Sequence, residues 1–144
     1  MSAPSLLPEG LPAPAPSPDG LDRPYWDAAR RHQLLAQRCN ACGAWQWGPE
    51  WICHACHGFD VGWATPPGRA RIFAWERVWH PVHPALAQGV PYVVVLVEFP
   101  AASGIRMVGN LAGDPRAPVT VGAEVVPVFE DHDTYTLIQW RTTP

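Results

Sequence analysis

From residue 69 onward, apolar and polar side chains alternate with the two-residue period of a half-buried strand. Ala70, Ile72, Ala74 and Val78 stand against Arg69, Arg71 and Arg77, which predicts a strand over residues 69–79. A loop rich in proline and histidine follows at His80-Pro81-Val82-His83-Pro84. Residues 92–99 are almost wholly apolar, as expected of a central strand buried on both sides. Residues 105–111, 125–130 and 135–140 supply three more strands. The turns between them are Ala102-Ser103-Gly104, Gly113-Asp114-Pro115 and Asp131-His132-Asp133. Five short strands with one long connection favour a small closed barrel, because closure removes exposed edges.

The N-terminal half reads differently. Residues 1–20 hold six prolines among Ala, Ser and Gly, which predicts a polyproline-like or disordered arm. Residues 23–37 carry a helical pattern, with Asp22 as a cap, Pro24 in the first turn, and Tyr25, Trp26, Ala29 and Leu34 on one face. This helix is expected to run straight into the first cysteine pair. Pro66-Pro67-Gly68 breaks the chain and marks the expected boundary. The expected organisation is an arm (1–20), a helix with a metal ribbon (21–65) and a barrel (66–144).

Composition narrows the chemistry. The 144-residue chain has ten positive residues, all arginine, against thirteen acidic ones, for a net charge of −3. The absence of lysine excludes Schiff-base chemistry and a lysine base. The charge gives no field to gather nucleic acid or an anionic membrane. Beyond the arm the only serine is Ser103, which lies in a turn and not in a nucleophile elbow. The first residues lack a basic start, and no apolar run approaches a membrane span, so a cytoplasmic setting with reduced cysteines is expected.

The cysteines follow the pattern Cys39-x-x-Cys42, ten residues, then Cys53-x-x-Cys56. Two such turns close a tetrahedral four-sulfur cage. Gly43 follows the first pair, where positive φ turns backbone amides toward the sulfurs. Four thiolates leave no open position, so the metal is expected to be structural rather than Lewis-acidic. Zinc is the expected ion; iron fits the same spacing. Cys53-His54-Ala55-Cys56-His57 also matches a c-type haem attachment pattern, but that reading leaves Cys39 and Cys42 unexplained. A redox-active pair calls for a βαβ context, which the pattern does not offer.

Other residues carry weaker signals. Trp45, Trp47 and Trp51 crowd the short cysteine segment, so they either pack on the barrel or form an interface. His80 and His83 are candidates for partner contact in the first barrel loop. Glu76 and Glu98 read as surface or paired charges, and Glu130, Asp131 and Asp133 as a solvated turn.

Taken in order, several stretches resemble one family. They are Tyr25-Trp26, Gln37-Arg38-Cys39-Asn40-Ala41-Cys42-Gly43, Trp51-Ile52-Cys53-His54-Ala55-Cys56 and Gly68-Arg69-Ala70-Arg71-Ile72. Further matches are His83-Pro84-Ala85, Pro91-Tyr92-Val93-Val94, Gly109-Asn110-Leu111 and Gly122-Ala123-Glu124-Val125. The chain resembles the proteins catalogued as domain of unknown function 35, with a rubredoxin-like zinc ribbon followed by an OB-fold. The resemblance implies a mainly β fold, a structural zinc and a role as a non-catalytic accessory subunit. Its implied partners are thiolase-fold enzymes or acyl-CoA hydratases in a hetero-oligomer, with the catalytic residues on the partner. The small subunit's barrel would meet the CoA portion of a thioester. His57 departs from the family pattern, where glycine often follows the last cysteine.

Three functions follow as expectations. The first is the accessory subunit, with Trp45, Trp47, Trp51, Arg69, Arg71, His80, His83 and Arg106 as candidate contacts to CoA or partner. The second is a nucleic-acid binder, which zinc ribbons and OB-folds often are, although ten arginines against thirteen acids make a poor groove. The third is a stand-alone acyl-CoA module, with Arg69, Arg71, Arg106 and Arg116 pairing with phosphates.

Overall fold

In the computed structural model, which describes residues 2–144, the chain is mainly β, with one short helix, a three-stranded ribbon and a near-closed five-stranded barrel. Helix α1 spans Arg23–Arg30 and is shorter than the pattern suggested. Asp22 precedes it without a side-chain cap, because its carboxylate accepts instead from Ser17 N (2.8 Å) and the Trp26 indole (3.1 Å). The helix ends in a Schellman turn: Gln33 N donates to Ala28 O and His32 N to Ala29 O, both at 2.9 Å. His32 takes the left-handed position, φ 56°, that glycine usually fills. Its ring stacks on Phe129 at 5.1 Å and meets Asp131 at 2.8 Å, which holds this backbone in place. The chain then turns extended into the ribbon.

The ribbon consists of β1 (Ala36–Cys39), β2 (Trp45–Gln46) and β3 (Val61–Ala64), in the order β2-β1-β3 and antiparallel. The barrel consists of β4 (Ala70–Val78), β5 (Tyr92–Phe99), β6 (Ile105–Asn110), β7 (Glu124–Asp131) and β8 (Thr136–Thr142). Its order is β6-β5-β4-β7-β8, and a parallel bridge between Leu111 and Trp140 draws the two outer strands together. The main-chain amide of Ala112 donates to Trp140 O at the same seam.

Alternation sets the core. Val93, Val95, Val97 and Phe99 of β5 are buried with Ile72, Met107, Val125, Ile138 and Trp140. Tyr92, Val94, Leu96 and Glu98 are only half-buried, so β5 is covered on one side and not on both. In β4 the register shifts between Ile72 and Ala74, so Phe73 bulges outward and the alternation restarts beyond it. Ala74 is thereby removed from the core side on which the simple pattern put it.

The N-terminal arm has no regular element and lies along the barrel. Ala3 N donates to Phe129 O, Leu6 N donates to Glu130, and Pro8 lies against Gly89.

At the barrel seam, Trp140 is 1% exposed and packs edge-on to Phe99 at 5.9 Å. A Cβ at Gly109 would stand 2.8 Å from two atoms of the Trp140 indole. Gly109→Ala is therefore expected to destabilise the protein by about 1–3 kcal/mol through overpacking, seen as a lower Tm. An unchanged Tm would mean that the seam yields freely.

Candidate metal centre

The two Cys-x-x-Cys turns are copies of one local structure. Cys39 N donates to Ala44 O and Gly43 N to Cys39 O; Cys53 N donates to Gly58 O and His57 N to Cys53 O. The turning residue has positive φ in both, 77° at Gly43 and 59° at His57. His57 thus completes the second knuckle in the glycine conformation, and the departure at this position leaves the turn intact.

The knuckles face each other. All four sulfurs lie within 4.8 Å of one another, and the Cys39–Cys56 and Cys42–Cys53 pairs are 3.7 Å apart. Bonds of about 2.3 Å in a tetrahedron give an edge of about 3.8 Å, so the cage fits a tetrahedral thiolate metal. Amides point inward: Cys42 N lies 3.5 Å from the Cys39 sulfur and Ala55 N 3.4 Å from that of Cys53. Cys39 and Cys53 are buried, while Cys42 and Cys56 reach the surface.

The electrostatics also fit a cation. The Cys56 and Ala55 amides draw the Cys53 thiol down to about 6. At Cys56 the Gly58 amide favours the thiolate, but Cys39 and Cys42 outweigh it and push the thiol up to about 11. The Cys53 thiolate thus forms readily and the Cys56 thiol resists ionisation, a resistance that a cation between the sulfurs would relieve.

Two buried glutamines hold the cage in position. Gln46 Oε1 accepts from His54 N at 2.8 Å, beside Cys53, and Gln46 Nε2 donates to Gln37 Oε1 and Ile52 O. Gln37 Oε1 also accepts from Glu50 N, and its amide donates to Glu50 O. Residues 47–52 carry no strand, and these side chains replace the missing ladder. Sequence reasoning missed this role, because a glutamine in a short strand carries no mark of burial.

The other candidate residues are dispersed. Trp45 and Trp47 pack against the core, Trp45 beneath Arg38 and Trp47 against Tyr25 at 4.8 Å. Trp51 is 58% exposed and donates to Asp19. Arg69 pairs with Glu124 at 2.6 Å, and Arg116 stacks on Trp79. Arg71 and Arg106 converge on Glu98, at 3.0 and 3.5 Å. His80 is exposed, whereas His83 Nδ1 caps a 3-10 turn by accepting from Ala85 N. A cavity of about 730 Å³ lies between the arm and the β7–β8 turn, and none of these residues lines it.

Glu130 overturns the expectation of a solvated turn. It is 2% exposed beside this cavity, and its oxygens accept from Ser5 Oγ, Leu6 N and Gln139 Nε2. His132 Nε2 lies 2.8 Å from it. Its position at the end of β7 turns it inward, while Asp131 and Asp133 stay outside.

The comparisons with known proteins agree with this geometry. A family model described as "ChsH2, rubredoxin-like zinc ribbon domain" matches residues 26–62, and one described as "ChsH2, C-terminal OB-fold domain" matches residues 63–130. This chain belongs to the ChsH2 (DUF35) family. Among solved structures, a chain of the "Ltp2-ChsH2(DUF35) aldolase" aligns with a TM-score of 0.77 and 30% identity, covering 90% of this chain and 98% of that one. A Sulfolobus solfataricus DUF35 protein of unknown function shares the fold, with a TM-score of 0.62 at 14% identity over 89% and 87% of the two chains. A probable enoyl-CoA hydratase alpha subunit from Thermomonospora curvata is 35% identical over 73% of this chain and 32% of its own length. The 3-oxo-4,17-pregnadiene-20-carboxyl-CoA hydratase alpha subunit of Mycobacterium tuberculosis is 28% identical over 96% of this chain and 44% of its own. This ChsH2-family chain therefore spans less than half the length of these curated relatives, 32% of one and 44% of the other. No helix among its described residues is long and apolar enough to cross a membrane.

Two tests follow. Gln46→Leu leaves His54 N and Ile52 O without partners, at a cost of about 1–3 kcal/mol to the ribbon. Metal release to a chelator should be several-fold faster than in the wild type, and equal rates would remove Gln46 from the account. Hydrogen bonding from Arg71 holds the Glu98 carboxyl below its ordinary range, against partial desolvation. This ion pair therefore stabilises the fold above the ordinary carboxylate pKa, and the stability is lost as pH falls through the folded-state value. Glu98→Gln should lower stability near neutrality and flatten the acid limb of pH-dependent urea unfolding; an unchanged limb contradicts the pairing.

Proposed function

We propose that this protein is a non-catalytic subunit of a heteromeric enzyme that acts on acyl-CoA thioesters, with a structural zinc ion held by Cys39, Cys42, Cys53 and Cys56. The partner is a thiolase-fold enzyme, such as a thiolase, acyltransferase or retro-aldolase, and it supplies the reacting groups. What carries this reading is the likeness to a chain of the Ltp2-ChsH2(DUF35) aldolase along nearly all of that chain's length. The hydratase alpha subunits among the relatives place related sequences beside acyl-CoA chemistry. The residues of this chain support the same division of labour. Its cysteines are all committed to the cage, and Ser103 Oγ accepts a hydrogen bond from Trp45 N in a turn. Arg69, Arg71 and Arg106 are paired with carboxylates, so a CoA phosphate would have to compete for them.

Zinc, when bound, supplies a fixed positive crosslink between the two knuckles. The sulfurs fill its coordination, so it contributes folding energy and no reactive water. Cys53→Ser should release the metal and unfold the ribbon, seen as loss of stoichiometric zinc and a collapsed thermal transition. A fully folded, metal-free variant would contradict the structural role.

The functional test is co-expression with a thiolase-fold enzyme of the same organism. A stable complex is expected, with thioester turnover that depends on both chains. The purified small chain alone should turn over no thioester. Separate monodisperse proteins with a fully active enzyme, or turnover by this chain alone, would defeat the reading.

A further inference from the structure

The N-terminal arm touches two separate loops of the barrel. At one end it follows the edge of β7. Strand β4 pairs with β7 only at Ala70–Val125 and Arg71–Glu124, so beyond Val125 that edge has no strand partner. Pro127 brings no amide to it, and the arm takes up the groups that follow. Ala3 N donates to Phe129 O at 2.6 Å, and Asp131 N donates to Ser2 Oγ at 2.9 Å. Glu130 then accepts from Ser5 Oγ and Leu6 N. Gln139 ties Glu130 to the barrel seam, since its amide donates to Glu130 and its oxygen accepts from Asn110 N at 2.7 Å. Further along, the arm crosses to the loop between β4 and β5, where Pro8 lies against Gly89 and Gly10 beside Ala85. The arm thus bridges the β7–β8 turn and the β4–β5 loop, with the cavity of about 730 Å³ beneath it.

We propose that the arm is a detachable strap that masks the ligand-binding loops of the OB-fold. OB-folds hold oligonucleotides and oligosaccharides with the loop that joins their first two strands and the loop that joins their last two. In this barrel those are the β4–β5 loop and the β7–β8 turn, the two segments that the arm joins. The strap is separable from the core. None of residues 2–20 is buried, and its hold on β7 is a short set of hydrogen bonds. A segment held in this way opens at low cost while the strands beneath stay folded. Its prolines restrict the released arm to few conformations, which lowers the entropy lost when it closes again. The cavity under the strap is lined by Glu9, Glu130, Asp131 and Asp133 against the single imidazole of His132. Such a lining repels a polyanion, so the chain's own arm, and not a nucleic acid, is the occupant that fits between these loops.

The test is amide hydrogen exchange on the full zinc-loaded chain, in the wild type and in two variants that lift the strap from opposite ends. Gly89 does not have positive φ, so Gly89→Ala suits the loop backbone, but its Cβ collides with the Pro8 ring and pushes the arm away. Ala3→Pro removes the amide that bonds Phe129 O and alters nothing in the barrel. In the wild type, the Leu6 amide should exchange at least tenfold more slowly than in an unstructured peptide. In both variants that protection should be lost, and exchange in residues 84–89 and 131–135 should quicken severalfold. Residues 93–97 in the core of β5 should exchange as in the wild type, with zinc retained. An unprotected Leu6 in the wild type, or full protection in both variants, would overturn the strap. Release of the arm with both loops unchanged would show that it masks neither, and release only together with faster exchange in residues 93–97 would make it part of the core; either result overturns the proposal.

Discussion

The ribbon is built from strands of four, two and four residues, joined by loops without regular structure. Pieces this small bury too little apolar surface to offset the entropy of ordering them. Four sulfurs drawn to within 4.8 Å change that balance, because a cation between them ties the two knuckles together. The buried glutamines then transmit the position of the cage outward. Gln46 binds the backbone beside Cys53, and Gln37 fixes the segment that carries Trp47 and Trp51. Trp45 and Trp47 in turn pack on the barrel core, so the metal centre also sets how the ribbon sits on the barrel.

Many of the chain's polar side chains already have structural partners among the described residues. Its cysteines are used as ligands, its arginines largely as partners of carboxylates, carbonyls or rings, and its buried carboxylate Glu130 as an anchor for the arm.

The parts legible in the sequence were those with a strict period or spacing. The Cys-x-x-Cys pairs are local and allow few geometries, and the five barrel strands are alternating or apolar runs bounded by turn residues, which places them within a residue or two. What was hidden depends on distant contacts. The end of α1 was missed because His32, rather than glycine, occupies the left-handed turn, and its stabilising partners Phe129 and Asp131 are about a hundred residues away. Glu130 reads as part of an acidic turn, and only the arm and Gln139 folding over it make it a buried acceptor. The bulge at Phe73 breaks an alternation that otherwise looks regular, and it moves Ala74 from the core side to the outer face. Gln37 and Gln46 show the same limit, since a polar residue becomes a structural tie only when the loop that it holds arrives.

The cage can be tested at the metal itself. X-ray absorption at the zinc edge of the purified protein should report one ion with four sulfur neighbours at about 2.3 Å. A shell containing nitrogen or oxygen, or a protein that carries no metal in this site, would contradict the account.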